Sequence, residues 1–417
     1  MERFVITGGP RLSGRVLISG SKNAALPIMA ATILGAGQSR LENVPDLRDV
    51  ATMAKLLRLI GAEVRREGHG LLVDTEHCSH PEAPYDLVST MRASFYVLGP
   101  LLGRFGRARV SLPGGCAIGP RPVDFHIKGL RALGATITLD GGYVLAEADR
   151  LKGARVVFDI PSMGATANVM MAAVTAEGTT VIENATKEPE LVALADFLVK
   201  MGAKIDGAGT DRIEIEGVKS LSPADGSIIP DRIETATFLL AGAITGGNVD
   251  IAGCCPEHVS AIINKLEECG VKMTLGGSAI RIEGLERIGA ADLVATAYPG
   301  YPTDVQPLHT ALMCIASGSS VISDTVFPDR FTHVAELNRL GAQIMLEDKV
   351  AVVKGVEELR GAPVMASDIR AGAALVMAGL VARGQTQISR IYHIDRGYER
   401  IEEKLSALGA QIRREGK

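Results

Sequence analysis

Ser367-Asp-Ile-Arg-Ala-Gly-Ala-Ala-Leu-Val-Met-Ala-Gly-Leu-Val-Ala-Arg-Gly-Gln-Thr-Gln-Ile-Ser389 contains the unit from which the chain is built. From Ala371 to Val381 no residue is charged or hydrogen-bonding in its side chain. A helix apolar on all sides must be buried on all sides. Gly384 ends the run, and Gln385 to Ser389 reads as a short strand. Ser367, Asp368 and Arg370 are polar residues standing where the helix opens.

The same order of features recurs through the chain. Apolar helices are expected at Asn23 to Leu34, Ala93 to Leu102, Ala165 to Ala176, Thr235 to Ile244 and Val305 to Ile315. The strands that follow them are Arg40 to Val44, Arg109 to Leu112, Thr179 to Glu183, Asn248 to Ile251 and Ser320 to Ser323. Each unit also has an amphipathic helix closing on a glycine, at Gly61, Gly134, Gly202, Gly270, Gly341 and Gly409, spaced about seventy residues apart. Glycine there suits a left-handed helix C-cap. Each unit therefore hides one helix, shows another, and places strands between them.

Six such units fit neither a solenoid with polar caps nor an eight-fold barrel. They fit an α/β fold of two domains with three units each, buried helices wrapped by sheet. The last unit stops after Ile412, so the opening strands, Phe4 to Ser19, are expected to complete it. This places one domain at 22–229 and a discontinuous one at 1–21 with 230–417.

The chain has 417 residues, 47% hydrophobic and 22% charged, with a net charge of −4. That balance argues against nucleic acid and anionic membrane as partners. No apolar run reaches the roughly 18 residues of a membrane span. Met1 to Gly9 lacks a basic stretch followed by an apolar one, so no secretory signal is read and a cytoplasmic location is expected. The six cysteines show no C-x-x-C spacing and no metal-ligand pattern. Cys269 and Cys314 lie among apolar neighbours and read as core fillers.

Pro113-Gly-Gly-Cys-Ala-Ile-Gly-Pro-Arg-Pro-Val-Asp124 is different. Its glycines and prolines exclude helix interior and central strand. It reads either as a plain turn or as a loop that closes over a site. A thiol (Cys116) close to a fixed cation (Arg121) is a setting that favours thiolate.

Charged and hydroxyl groups recur where the apolar helices open, and helix N-termini attract anions. If the two domains face each other through those ends, Lys22, Arg92, Arg121, Arg330, Arg370 and Arg396 collect in a cleft. Asp231, Asp304 and Asp368 join them as acids. Asp304 and Asp368 also read as simple N-caps, and His126 as a structural histidine. Such a cleft suits a substrate bearing phosphate and carboxylate.

Three stretches, Ser19-Gly-Ser-Lys-Asn-Ala24, the Cys116 loop and Ser367-Asp-Ile-Arg-Ala-Gly372, resemble the bacterial enolpyruvyl transferases. The resemblance runs the whole length. It is nearer to the branch acting on a sugar nucleotide than to the shikimate branch, which lacks this cysteine loop. It implies a two-domain inside-out α/β barrel and no metal or organic cofactor. It implies transfer of the enolpyruvyl group of phosphoenolpyruvate to the 3-hydroxyl of UDP-N-acetylglucosamine, an early step of peptidoglycan synthesis. By resemblance, Cys116 is the thiol that adds to phosphoenolpyruvate and is the candidate proton donor. Asp304 takes the hydroxyl proton, and Asp368 is a second acid. Lys22, Arg121 and Arg396 clamp phosphate, with Asn23 beside them; Arg330 and Arg370 clamp carboxylate. The UDP-sugar positions are Lys22, Asn23, Arg92, Arg121, Pro122, Val123, Asp124, Phe125, Ser162, Gly164, Asp304 and Val326. Ile160-Pro-Ser-Met163 stands where the family pattern reads Lys-Val-Ser-Val, so this chain offers no lysine there.

Overall fold

The computed structural model describes residues 2–113 and 123–416. The chain divides into two compact units. One holds the described residues from Gly20 to Ile229. The other holds the described residues up to Ser19 and everything described from Pro230 onward.

In the first unit three helices are buried: α1 (Lys22–Ala31), α2 (Leu98–Phe105) and α3 (Met163–Ala173). In the second the buried helices are α4 (Arg232–Thr245), α5 (Gln306–Met313) and α6 (Ile369–Val381). All fourteen residues of α4 are buried, and in α6 only Ile369 and Val381 are partly exposed. Glycine and alanine dominate α6 because the helix must be approached closely on several sides. A Cβ on Gly372 would meet Ile394 Cγ1 at 2.6 Å, and one on Gly379 would meet Ile6 Cδ1 at 3.1 Å.

Among the described residues six four-stranded sheets surround these helices, three in each unit. All share one pattern: an edge strand of two to five residues runs parallel to its neighbour, and the other two pairings are antiparallel. The sheet beside α4 shows how the period-two pattern fixes the inner face. Val249 pairs with Ile282 and Ile251 with Ile280, and all four are fully buried.

The opening strands divide between two sheets, which corrects the expectation that both complete the last unit. Arg3–Thr7 does enter the last sheet, between Gln385–Ser389 and Gln411–Glu415. Ser13–Leu17 instead lies parallel to Asn248–Ala252 in the sheet beside α4. The reason is topological. In four of the sheets the parallel edge strand comes from the segment just before the buried helix, but the chain reaches α4 directly from the other unit. The first residues of the chain supply what is missing. Gly226–Ser227 does the same beside Gln38–Glu42 in the sheet next to α1.

The long amphipathic helix Arg48–Ile60 ends on Gly61 at φ 109°, and Gly134, Gly202, Gly270, Gly341 and Gly409 also have positive φ. These are the left-handed positions that glycine takes at least cost.

Candidate active site

In the second unit the entrance to α6 is built around Asp368. Its side chain caps the helix, accepting from Arg370 N at 2.9 Å and Ala371 N at 3.0 Å. Its other oxygen accepts from Thr332 Oγ1 at 3.0 Å and Ser367 Oγ at 3.2 Å. Burial alone would raise this carboxyl. The amide bonds, the Arg330 charge and the Thr332 bond outweigh it and hold Asp368 below the usual carboxylate range.

Asp304 precedes α5 but does not cap it; the N-cap is Val305, which makes no side-chain cap bond. Its carboxylate is shared between two arginines. Oδ1 accepts from Arg330 Nη1 at 2.7 Å. Oδ2 accepts from Arg370 Nε at 3.1 Å and Nη2 at 3.0 Å. The arginine side chains are each 3% exposed, while that of Asp304 is 28% exposed. Solvent therefore reaches the carboxylate, and the cations lie behind it. Burial would pull the Arg370 guanidinium down, but Tyr398, Asp304 and Asp231 more than offset this, so it stays charged.

Both guanidinium groups keep donors in reserve. Arg330 Nε and Arg370 Nη1 are buried without a hydrogen bond of good geometry. Thr303 steadies Arg330 by accepting from its Nη1 at 3.1 Å while donating to Asp324 Oδ2 at 2.5 Å. Asp324 Oδ1 accepts from Val326 N and Phe327 N, which fixes the turn bearing Val326, itself 37% exposed. Arg396 ends the turn Ile391–Arg396 and is partly exposed. His393 on that turn is held below its ordinary value by burial and by Arg396, against the pull of Asp368.

The first unit carries a second group of expected residues. Ser21 caps α1, and Lys22, 8% exposed, reaches Asp49 Oδ2 at 3.3 Å. Asn23 is partly exposed in the first turn. Arg92 starts the turn Arg92–Val97 that leads into α2. Ser162 caps α3, accepting from Ala165 N at 3.4 Å. Val123 is buried, Asp124 exposed and Phe125 partly exposed, with its ring edge-on to Phe158. Cys116, Arg121 and Pro122 lie outside the described residues.

Arg92, Gly164 and His126 come together with Asn168, a residue absent from the sequence reading. Asn168 Nδ2 donates to Phe95 O at 3.0 Å and lies 2.9 Å from His126 Nδ1. Its Oδ1 accepts from Gly99 N at 2.7 Å. Nδ1 of His126 is thus the acceptor, and its proton sits on Nε2. A Cβ on Gly164 would lie 3.0 Å from that Nε2, so glycine keeps the ring edge accessible. Burial, then the Arg92 charge, drives His126 down to about 3. It is a neutral donor across the physiological range.

The arrangement in the second unit has a clear chemical capacity. A carboxylate bound by two buried cations is exchangeable for another carboxylate that reaches them from solvent. The displaced Asp304 then gives up the bonds from Arg330 and Arg370 and can accept a proton.

Comparison with known proteins identifies the family. The family model described as EPSP synthase (3-phosphoshikimate 1-carboxyvinyltransferase) matches residues 6–405. A UDP-N-acetylglucosamine 1-carboxyvinyltransferase of Myxococcus xanthus is 55% identical, with all of each chain covered. The protein of the same name from Geobacter metallireducens is 54% identical over 99% of each chain. Among solved structures, the enolpyruvyl transferase NikO from Streptomyces tendae matches with a TM-score of 0.89 and 28% identity over 99% of each chain. An EPSP synthase from Acinetobacter baumannii has a TM-score of 0.78 at 17% identity over the full length of both chains, a likeness of fold alone. With repeated helix–sheet units matched from end to end and relatives more than half identical, this chain belongs to the EPSP synthase family of carboxyvinyl transferases.

Proposed function

We propose that the protein transfers the enolpyruvyl group of phosphoenolpyruvate to the 3-hydroxyl of UDP-N-acetylglucosamine, releasing phosphate, as the first committed step of peptidoglycan synthesis. The observation that carries this reading is the Asp304 carboxylate, open to solvent and held by Arg330 and Arg370. The relatives named for that reaction support the choice of acceptor. We take the two units as two domains, 22–229 and 1–21 with 230–417, and the location as cytoplasmic. No helix among the described residues is long and apolar enough to cross a membrane.

The reaction is an addition followed by an elimination. A proton adds to the methylene carbon of phosphoenolpyruvate and leaves a cation-like centre at the carbon bearing phosphate. The sugar oxygen bonds to that centre as its proton passes to Asp304, giving a tetrahedral ketal. The methyl group then gives up a proton, the double bond re-forms, and the carbon–oxygen bond to phosphate breaks.

In this reading Arg330 and Arg370 receive the carboxylate, and Lys22, Asn23, Arg121 and Arg396 face the phosphate. Fixed cations aimed at charge that shifts during reaction are worth more than the same charges in water. Cys116 is the proton donor to the methylene, and Asp368 is a second acid near the ketal. The nucleotide sugar is received by Arg92, Arg121, Pro122, Val123, Asp124, Phe125, Ser162, Gly164 and Val326.

The test is phosphate release from phosphoenolpyruvate with UDP-N-acetylglucosamine or shikimate 3-phosphate as acceptor. Release with the sugar nucleotide alone is expected. Release only with shikimate 3-phosphate would assign the chain to the other branch. Fosfomycin, an epoxide analogue of phosphoenolpyruvate, should add covalently to Cys116, read as a mass increase on that peptide.

A further inference from the structure

Arg370 is bordered by a pair of residues to which the reaction gives no role. Its Cζ lies 5.2 Å from the centre of the Tyr398 ring. Tyr398 is 2% exposed and Thr237, on α4, is also 2% exposed. Their hydroxyl oxygens are 2.9 Å apart. Thr237 has one hydroxyl proton, and Oγ1 donates it to Ile233 O at 2.8 Å, one turn back on the same helix. Tyr398 is therefore the donor to Thr237. This bond anchors the phenol, with its ring face beside the Arg370 guanidinium.

The approach is close by construction. Gly397 precedes the tyrosine, and a Cβ there would meet Ile369 Cγ2 at 2.6 Å and Arg370 Nη1 at 3.5 Å. Asp304 holds Arg370 through Nε and Nη2. The tyrosine ring stands over the guanidinium, and Nη1 is the end left with a donor to spare. When a substrate carboxylate displaces Asp304, the Asp304 bonds no longer orient the group. The ring and its anchor remain.

We propose that Tyr398, anchored by Thr237, is a positioning residue that holds the Arg370 guanidinium in place for the carboxylate of the enolpyruvyl donor. The inference rests on the proposed role of Arg370. Both residues are buried, so the pair acts on the affinity for one substrate through Arg370.

The test uses the full chain and steady-state kinetics with both substrates, with unfolding midpoints measured alongside. Y398F and T237V should each raise KM for phosphoenolpyruvate about five-fold, the effect of one buried hydrogen bond. KM for the sugar nucleotide should stay unchanged. The double variant should be no worse than Y398F alone, because both remove one interaction. T237S, which keeps the acceptor oxygen, should restore KM. Equal rises in KM for both substrates, multiplying effects in the double variant, or failure of T237S to rescue would overturn the inference. So would an unchanged KM for phosphoenolpyruvate in Y398F while the parent protein turns over, and that result leaves the proposed reaction standing. A parent protein that turns over neither acceptor would overturn the proposed reaction and this inference together.

Discussion

At Asp304 two oxygens are divided between two guanidinium groups that a substrate carboxylate would also use. In the proposed reaction the same side chain is both the base and a competitor of the phosphoenolpyruvate carboxylate. D304N removes the base and the competing charge together. Turnover should fall about 10²–10⁴-fold, the usual range for a lost general base. Binding of phosphoenolpyruvate, measured by calorimetry, should tighten by about ten-fold, because the cations lose a charged partner. Weaker binding would contradict the competition. The residue types and lead-in positions of Asp304 and Arg370 were legible in the sequence, because charge is conspicuous beside a largely apolar helix, whereas Arg330 stands before no such helix and its role came only from the family resemblance. Tyr398, Thr237 and Asn168 were not legible. Each acts through a partner distant in the chain, and no local pattern distinguishes a buried hydroxyl or amide with such a task from an ordinary one.

The buried helices are set by small side chains and by their caps. G372A places a methyl group 2.6 Å from Ile394 Cγ1 and 3.1 Å from Ala366 Cβ. Overpacking of this kind costs about 1–3 kcal/mol. It should exceed the roughly 1 kcal/mol that alanine gains over glycine in a helix, so urea unfolding should show a net loss. D368A removes the cap of α6 and should cost about 1 kcal/mol. Because Asp368 is held below its ordinary value, that contribution is present above the ordinary carboxylate range and is lost as pH falls through the folded value. The cap should therefore matter at pH 7 and vanish in strong acid, as unfolding midpoints of the two proteins across pH would reveal. The six apolar helices and the glycines closing the amphipathic ones could be read from the sequence, since period and composition persist over ten residues or more. The parallel edge strands could not. Glu82–Ala83 and Gly226–Ser227 have two residues each, too few for any alternation to register. The placing of Ser13–Leu17 depends on which sheet lacks an edge, a property of the whole topology.

Across the whole molecule, three histidines are buried neutral. Burial pulls His126 and His333 down to about 3 and His309 to about 4. His309 and His333 belong to one unit and His126 to the other. Each has a folded value below that of the unfolded chain, so the unfolded chain takes up protons first as pH falls. Stability is then undiminished above about pH 6.5 and declines below it, until the folded values are reached. The summed loss between pH 7.5 and pH 5.5 is about 4 kcal/mol over both units. Denaturant midpoints over that interval check it, and H309L, which has no group to protonate, should flatten the dependence in its unit.

The central claim is a transfer in which donor and acceptor are consumed together. Proton and phosphorus magnetic resonance of one mixture of protein, phosphoenolpyruvate and UDP-N-acetylglucosamine tests it directly. The expected result is loss of both substrates in equal amounts, matched by inorganic phosphate and by a vinyl ether at the sugar 3-oxygen. Phosphate appearing while the sugar nucleotide stays intact, or no change in either substrate, would contradict the account.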